Sequence, residues 1–393
     1  MTTGGAALEP VGASPGNRRR SFQRAWMLPF AGAGIIFLSL MFAAQASRIF
    51  AGVNDFLGIY AGARLVGSPE QFNANAYIRE QVRATGRVAP SIIYTRLPAF
   101  AVVLRPLGKL EYLHAYVLWQ VLSLSSFAAF LIVWPFRDRA LLLFAACWSV
   151  PLFADLSSGQ DITFLLLILA IAWRLVGRAC FLAGAVLTLA TLKFHLFLLV
   201  PVFLIAQRRW RMLAGASLTG GVILAVCFAA AGAHWIPEYA RFVLRANPGV
   251  RAMLNLRGLL EGLPHDLAWE TAVAFVVALA VAWVGRRTSF SIGLGTALVG
   301  SLLTSHHAYL FDALLLLPAL LTLATEVPCA SVRLLCILLL SPLPFLVTPL
   351  VPLAGPVPLL LIALLATLVA WVAATPSAER LSKLVSAVPR NRG

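Results

Sequence analysis

Apolar residues along this chain come in continuous blocks, not in alternation. They fall near residues 27–46, 112–134, 140–156, 162–177, 179–193, 194–207, 211–232, 267–285, 289–304, 308–325, 332–349 and 353–374. A spanning helix needs about 20 apolar residues in a row, whereas a membrane β-barrel alternates over strands of about ten. The pattern therefore predicts an all-α polytopic integral membrane protein with about 12 transmembrane helices, within a range of 10–13. The range reflects several blocks of only 14–16 residues that abut directly, above all 179–193 and 194–207. Spans that short must be broken, or buried in protein away from lipid. The first block is long enough to span and is read as a membrane helix, not a signal peptide.

Two long polar stretches interrupt the blocks, 47–111 and 233–266. The domain plan is a disordered basic tail over 1–26, a transmembrane domain over 27–375 that includes both stretches as outer loops, and a second basic tail over 376–393. In the first outer loop, Ala51 to Gly67 repeats Phe56, Ile59, Tyr60, Ala63 and Val66 at helical spacing and reads as an amphipathic helix on the membrane surface. Arg79, Arg83 and Arg87 recur every fourth residue, as if along one helical face. Tyr94 to Leu107 is apolar but carries Pro98 and Pro106, which suggests a re-entrant or surface segment.

Composition closes off the soluble classes. Sixty per cent of residues are hydrophobic, 12% are charged, and mean hydropathy is +0.87. Soluble domains run near a quarter charged. A soluble enzyme, a nucleic-acid binder and a largely disordered chain are all excluded. The net charge of +16, from 31 basic and 15 acidic residues, then becomes a matter of topology. Eighteen basic residues fall in the tails and short inner loops, such as Arg208-Arg209-Trp210-Arg211, whereas the short loops near 157–161, 305–307 and 350–352 have no Lys or Arg. The positive-inside rule then places both termini in the cytoplasm. Five cysteines with no CxxC pair indicate neither a disulfide framework nor a zinc site.

On this topology the unexpected polar residues gather at the outer face: Asp55, Arg64, Gln160, Asp161, Lys193, His195, Asn255, Arg257, His306 and His307. Ionisable groups at membrane depth are costly and mark functional sites by default. Each also has a plainer reading. Asp55 could cap a helix, Gly159-Gln160-Asp161 could simply link two helices, and the histidines could satisfy buried carbonyls. Lys193, between two apolar runs, must snorkel, pair or bind an anion. Asp312, inside a block, could pair with a histidine or a basic group.

Taken in order, these pieces resemble glycosyltransferase family 87 of the GT-C class. The resemblance runs through Asp55-Phe56, Tyr60 to Gly67, Tyr94…Pro98-Ala99-Phe100…Arg105-Pro106-Leu107, Gly159-Gln160, Lys193, Asn255…Gly258 and Ser305-His306-His307…Asp312. It covers roughly residues 25–320. The chain departs from the family pattern at Leu97, at Phe194-His195 and at Arg257.

The resemblance implies a GT-C-type fold with a long first extracytoplasmic loop. It implies an enzyme of the cell inner (plasma) membrane that moves a sugar, mannose favoured, from a polyprenyl-phosphate donor to an envelope glycolipid or glycan acceptor outside the cytoplasm. Asp55 would be the general base of an inverting transfer. Lys193, His306, His307, Arg64, Arg257, Gln160 and Asn255 would bind donor phosphate or acceptor, with Lys193 first for the phosphate. No DxD motif or nucleotide fingerprint is present, so no metal, other cofactor or nucleic acid is expected. The rival class is a polytopic transporter or lipid flippase, which broken spans would also suit.

Overall fold

The computed structural model describes residues 15–89, 92–136, 138–245, 249–350 and 355–375. Among these residues every regular element is a helix. Each apolar block forms helix, and five helices are long and apolar enough to cross a membrane: Tyr112–Val133, Cys180–Phe197, Trp210–Ala231, Asp266–Arg287 and Pro356–Ala374. Arg139–Cys147 and Val150–Ser158, bent by 58° at their junction, make a sixth if counted as one span. Shorter apolar helices include Pro29–Ala44, Ile162–Val176, Phe290–Thr304 and Ala330–Leu340. Helix length thus accounts for five or six crossings, and the expected twelve are not reached on this criterion. The first helix begins at Pro15, so residues 15–26, read as tail, are helical; residues 1–14 and the tail 376–393 lie outside the described residues.

Large apolar side chains face outward, among them Ile132 at 74% and Val103 at 73% exposure. Helix Trp210–Ala231 buries only Met212, Gly215 and Cys227. An all-helical chain that keeps its polar groups inside and its apolar faces out is a polytopic membrane protein. Inside, one large cluster joins residues from Phe127 to Val372. Small residues let the helices close on one another. Helices Cys180–Thr188 and Trp210–Ala231 meet reciprocally: a Cβ on Gly184 would lie 1.9 Å from Met212 O, and one on Gly215 would lie 1.9 Å from Phe181 O.

The segment 47–111 differs from its predicted form. Helix Phe56–Leu65 is no surface helix, since Phe56, Leu57, Ile59, Tyr60, Ala61 and Ala63 are all buried. Glycines explain this. A Cβ on Gly62 would sit 2.5 Å from Tyr94 Cγ, and one on Gly58 would sit 3.0 Å from Ile93 O. The strip before helix Pro98–Gly108 therefore lies directly on Phe56–Leu65, and Tyr112, Tyr116 and Trp119 close round Phe56. Pro98 opens its helix at a first-turn position, where its missing N–H costs nothing. The arginine triplet also breaks up. Helix Ala74–Thr85 ends at Gly86 (φ +68°), before Arg87. Arg79 pairs with Glu70, and Arg83 with Glu80 at 2.5 Å. Helix Trp235–Arg245, in the second long polar stretch, packs back on this unit, with Tyr239 Oη donating to Thr95 O at 2.6 Å.

Candidate active site

Four interruptions of helical geometry converge on one place. Helix Val150–Ser158 stops at Gly159, whose φ of +65° suits only glycine at low cost. A side chain there would also strike Phe56 Cβ at 2.8 Å and Asn54 Oδ1 at 3.0 Å. The resulting turn is braced on both sides. Asp155 Oδ1 accepts from Ile162 N at 3.0 Å, and Trp119 Nε1 donates to Gly159 O at 3.0 Å. It carries Gln160 and Asp161 into the protein interior. The second interruption is Lys193, non-helical at φ −124° and ψ 68° inside the 3-10 stretch Leu189–Phe197. This break separates the two abutting blocks of the sequence. The third is the start of helix Phe56–Leu65, where Asp55 stands, and the fourth is the segment 305–311 that ends in the turn Asp312–Leu315.

Together with Arg96 these breaks form a buried ionic network. Arg96 Nε donates to Asp161 Oδ2 at 2.5 Å and its Nη2 to Gln160 Oε1 at 2.9 Å. Lys193 Nζ donates to Gln160 Oε1 and to Asp312 Oδ1, each at 2.8 Å, and lies 3.3 Å from Asp161 Oδ1. Asp312 Oδ2 accepts from Tyr309 N at 2.8 Å. Gln160 Nε2 donates to Asp55 Oδ2 at 2.5 Å. Burial works to raise the Asp161 carboxyl, but Arg96, and after it Lys193, hold it down at about 2. Asp55 is moved the other way. Burial raises it above the ordinary carboxylate value, and the Gln160 hydrogen bond, Arg96 and Lys193 only partly oppose this. Asp55 makes no capping hydrogen bond; the neighbouring Asn54 accepts from Phe56 N instead, at 3.2 Å.

Asp55, Arg96, Gln160 and Lys193 line one side of a cavity of about 930 Å³. Arg257, His306, His307 and Tyr309 line it too, as do Asn73, Glu238, Arg241 and Phe242 from the two long polar stretches. Arg257 Nη1 lies 2.7 Å from His306 Nδ1 and 2.8 Å from its Nε2. The guanidinium's other N–H groups donate to no described residue. His307 sits between His195 and His306, with ring centroids 4.5 and 5.7 Å away in tilted and edge-on arrangements. Burial first, with help from neighbouring cations, pushes the His307 imidazole down to about 4. It is therefore neutral at pH 7, able to accept or donate one hydrogen bond.

Seven residues singled out from sequence, Asp55, Gln160, Lys193, His195, Arg257, His306 and His307, thus share one cavity, and Asp161 joins its network from behind the lining. Two do not. Arg64 lies away from the cavity, with Nε 2.6 Å from Glu80 Oε2 and Nη1 3.1 Å from Gly108 O, and it ties the segment 47–111 together. Asn255 is fully buried. It accepts from Gly258 N at 3.0 Å and donates to Ser305 O at 2.7 Å, fastening the Arg257 helix to the histidine loop. Arg96 was not anticipated. An arginine standing between Tyr94 and Pro98 in an otherwise apolar strip was the available signal, because such a charge needs a buried partner.

A polytopic membrane protein with an ionised site built at helix breaks is the class that fold and site define. Glycosyltransferase family 87 supplies the more particular finding: its family model matches residues 94–318. The chain belongs to that family and is a membrane glycosyltransferase, acting on a sugar donor and an acceptor. The matched region holds Arg96, Gln160, Asp161, Lys193, Arg257, both histidines of the loop and Asp312; Asp55 precedes it. No curated protein and no solved structure matches the chain.

Proposed function

We propose that the protein transfers a sugar, mannose favoured, from a polyprenyl-phosphate donor to an envelope glycolipid or glycan. The reaction takes place at the extracytoplasmic face of the plasma membrane, in a GT-C-type fold with both termini inside. The observation that carries this reading is the pairing of a carboxylate of raised basicity, Asp55, with an unsaturated cation, Arg257, around one cavity. The acceptor hydroxyl oxygen attacks the anomeric carbon while Asp55 takes its proton. The bond from that carbon to the phosphate oxygen breaks, its electron pair stays on oxygen, and polyprenyl phosphate leaves. One base opposite the leaving group gives inversion.

Charge and donor counting favour Arg257 over Lys193 for the phosphate in this reading. The ammonium of Lys193 donates to two protein acceptors and stands 3.3 Å from the Asp161 carboxylate. Two cations, Arg96 and Lys193, already face two carboxylates, Asp161 and Asp312, before Asp55 is counted. That network has no positive charge to spare. Arg257 has both charge and free donors, and neutral His307 beside it can hydrogen-bond a phosphate or sugar oxygen.

Membranes carrying the protein, supplied with radiolabelled polyprenyl-phosphate mannose, should form labelled glycolipid. Asp55→Asn should lower the rate about 10²- to 10⁴-fold, the usual contribution of a general base. Product at the wild-type rate from Asp55→Asn would remove Asp55 from the reaction.

A further inference from the structure

Gln160 was expected to touch substrate, but its hydrogen bonds point elsewhere. An amide oxygen has two lone pairs, and Gln160 Oε1 uses both, on Arg96 Nη2 at 2.9 Å and Lys193 Nζ at 2.8 Å. Two cations on one atom also settle which end of the amide is oxygen. A flipped amide would set N–H against guanidinium and ammonium. Nε2 is left to donate to Asp55 Oδ2, which it does at 2.5 Å.

We propose that Gln160 is a positioning residue acting through Asp55: its oxygen, clamped by Arg96 and Lys193, commits its nitrogen to Oδ2 and leaves Oδ1 as the oxygen that receives the acceptor proton. The clamp residues serve the same end. Asp161 fixes Arg96, Asp312 fixes Lys193, and the Gly159 turn holds the amide between them. The buried ionic network is thus a scaffold for one amide, and through it for the base. This rests on Asp55 being the base.

The consequence is read in the pH profile. Asp55 acts as carboxylate, so turnover falls as pH drops through its pKa. Facing it are Gln160 from the turn, Arg96 from the strip before Pro98, Lys193 from the helix break, and Asp312 and Tyr309 from the last interruption. A donated N–H favours the charged carboxylate. Withdrawing it raises the Asp55 pKa and moves the acid limb of kcat to higher pH.

Gln160→Glu keeps the shape and both cationic partners but sets a carboxylate oxygen against Asp55. In full-length protein given polyprenyl-phosphate mannose, its acid limb should rise by about one pH unit or more, with donor KM little changed. Gln160→Asn, one methylene shorter, withdraws the amide and should give the same direction of shift. It serves if the glutamate variant does not reach the membrane folded. An acid limb left in place in whichever variant folds overturns the proposal. Asp55→Asn run in parallel separates the two ideas. Full activity there removes the base itself, whereas an inactive Asp55→Asn beside an unmoved Gln160→Glu limb removes only the relay.

Discussion

The cavity has two walls of opposite character. On one, Arg96, Lys193, Asp312 and Gln160 are buried and bonded to one another or to buried Asp161. On the other, Arg257, His306 and His307 are partly exposed and keep unused hydrogen-bonding capacity. Both contain cations, yet they cannot do the same work. A buried, charge-balanced ion network fixes geometry, because each bond restrains the next and replacing one with a ligand strands a buried charge. An unsaturated guanidinium fixes nothing but can take an anion. Positive charge near an active site is therefore a poor guide to phosphate binding until the donors are counted.

The sharpest way to break the comparison is Lys193→Met. Removing one partner of a buried network should cost about 3–5 kcal/mol of stability, seen as a lower unfolding temperature in detergent. Asp312→Asn added to it should recover part of that loss, since the carboxylate left unpaired is then neutral. A Lys193→Met protein as stable as wild type, with only donor binding weakened, would return Lys193 to the phosphate. Next in size is Arg257→Ala. It should leave unfolding nearly unchanged while raising donor KM about tenfold to a hundredfold, the worth of one charge-assisted hydrogen bond. An unchanged KM would take the phosphate away from the open wall. The smallest effect is expected at Arg64. Its pair with Glu80 is a third exposed on the arginine side, and Glu80 keeps Arg83 at 2.5 Å, so Arg64→Ala should cost about 1 kcal/mol or less. Donor KM and kcat should both stay at wild-type values, and a clear change in either would bring Arg64 back to the site.

The sequence carried the helical membrane class and several of the cavity's polar lining residues, because both follow from local rules. Long apolar runs must be helical in lipid, and costly polar residues at one depth converge. Partnership does not follow from such rules. Arg64 and Arg257 look alike in sequence, both basic residues in outer segments near a glycine. Only the fold puts Glu80 beside one and a cavity beside the other. Asp55 resembled a helix cap because it precedes an apolar helix; its partner lies 105 residues away, a distance no periodicity reports. The burial of Phe56–Leu65 was hidden for a similar reason. Gly58 and Gly62 read as ordinary small residues until Ile93 and Tyr94 lie across them. Span number resisted too, since helices such as Val200–Ala206, seven residues long, cannot be assigned a crossing by length.

The order of the network along the chain sets an order of manufacture. Arg96 is made 65 residues before Asp161, so that carboxylate enters the membrane with a counter-ion already synthesised. Lys193 follows and finds Gln160 and Asp161 waiting, but its third partner, Asp312, is 119 residues further on. Through most of the second half of synthesis the ammonium is held by two groups, and the Gln160 amide by an incompletely fixed clamp. The site is locked only when the ribosome has passed Asp312, so the last interruption of the fold is also the step that completes it.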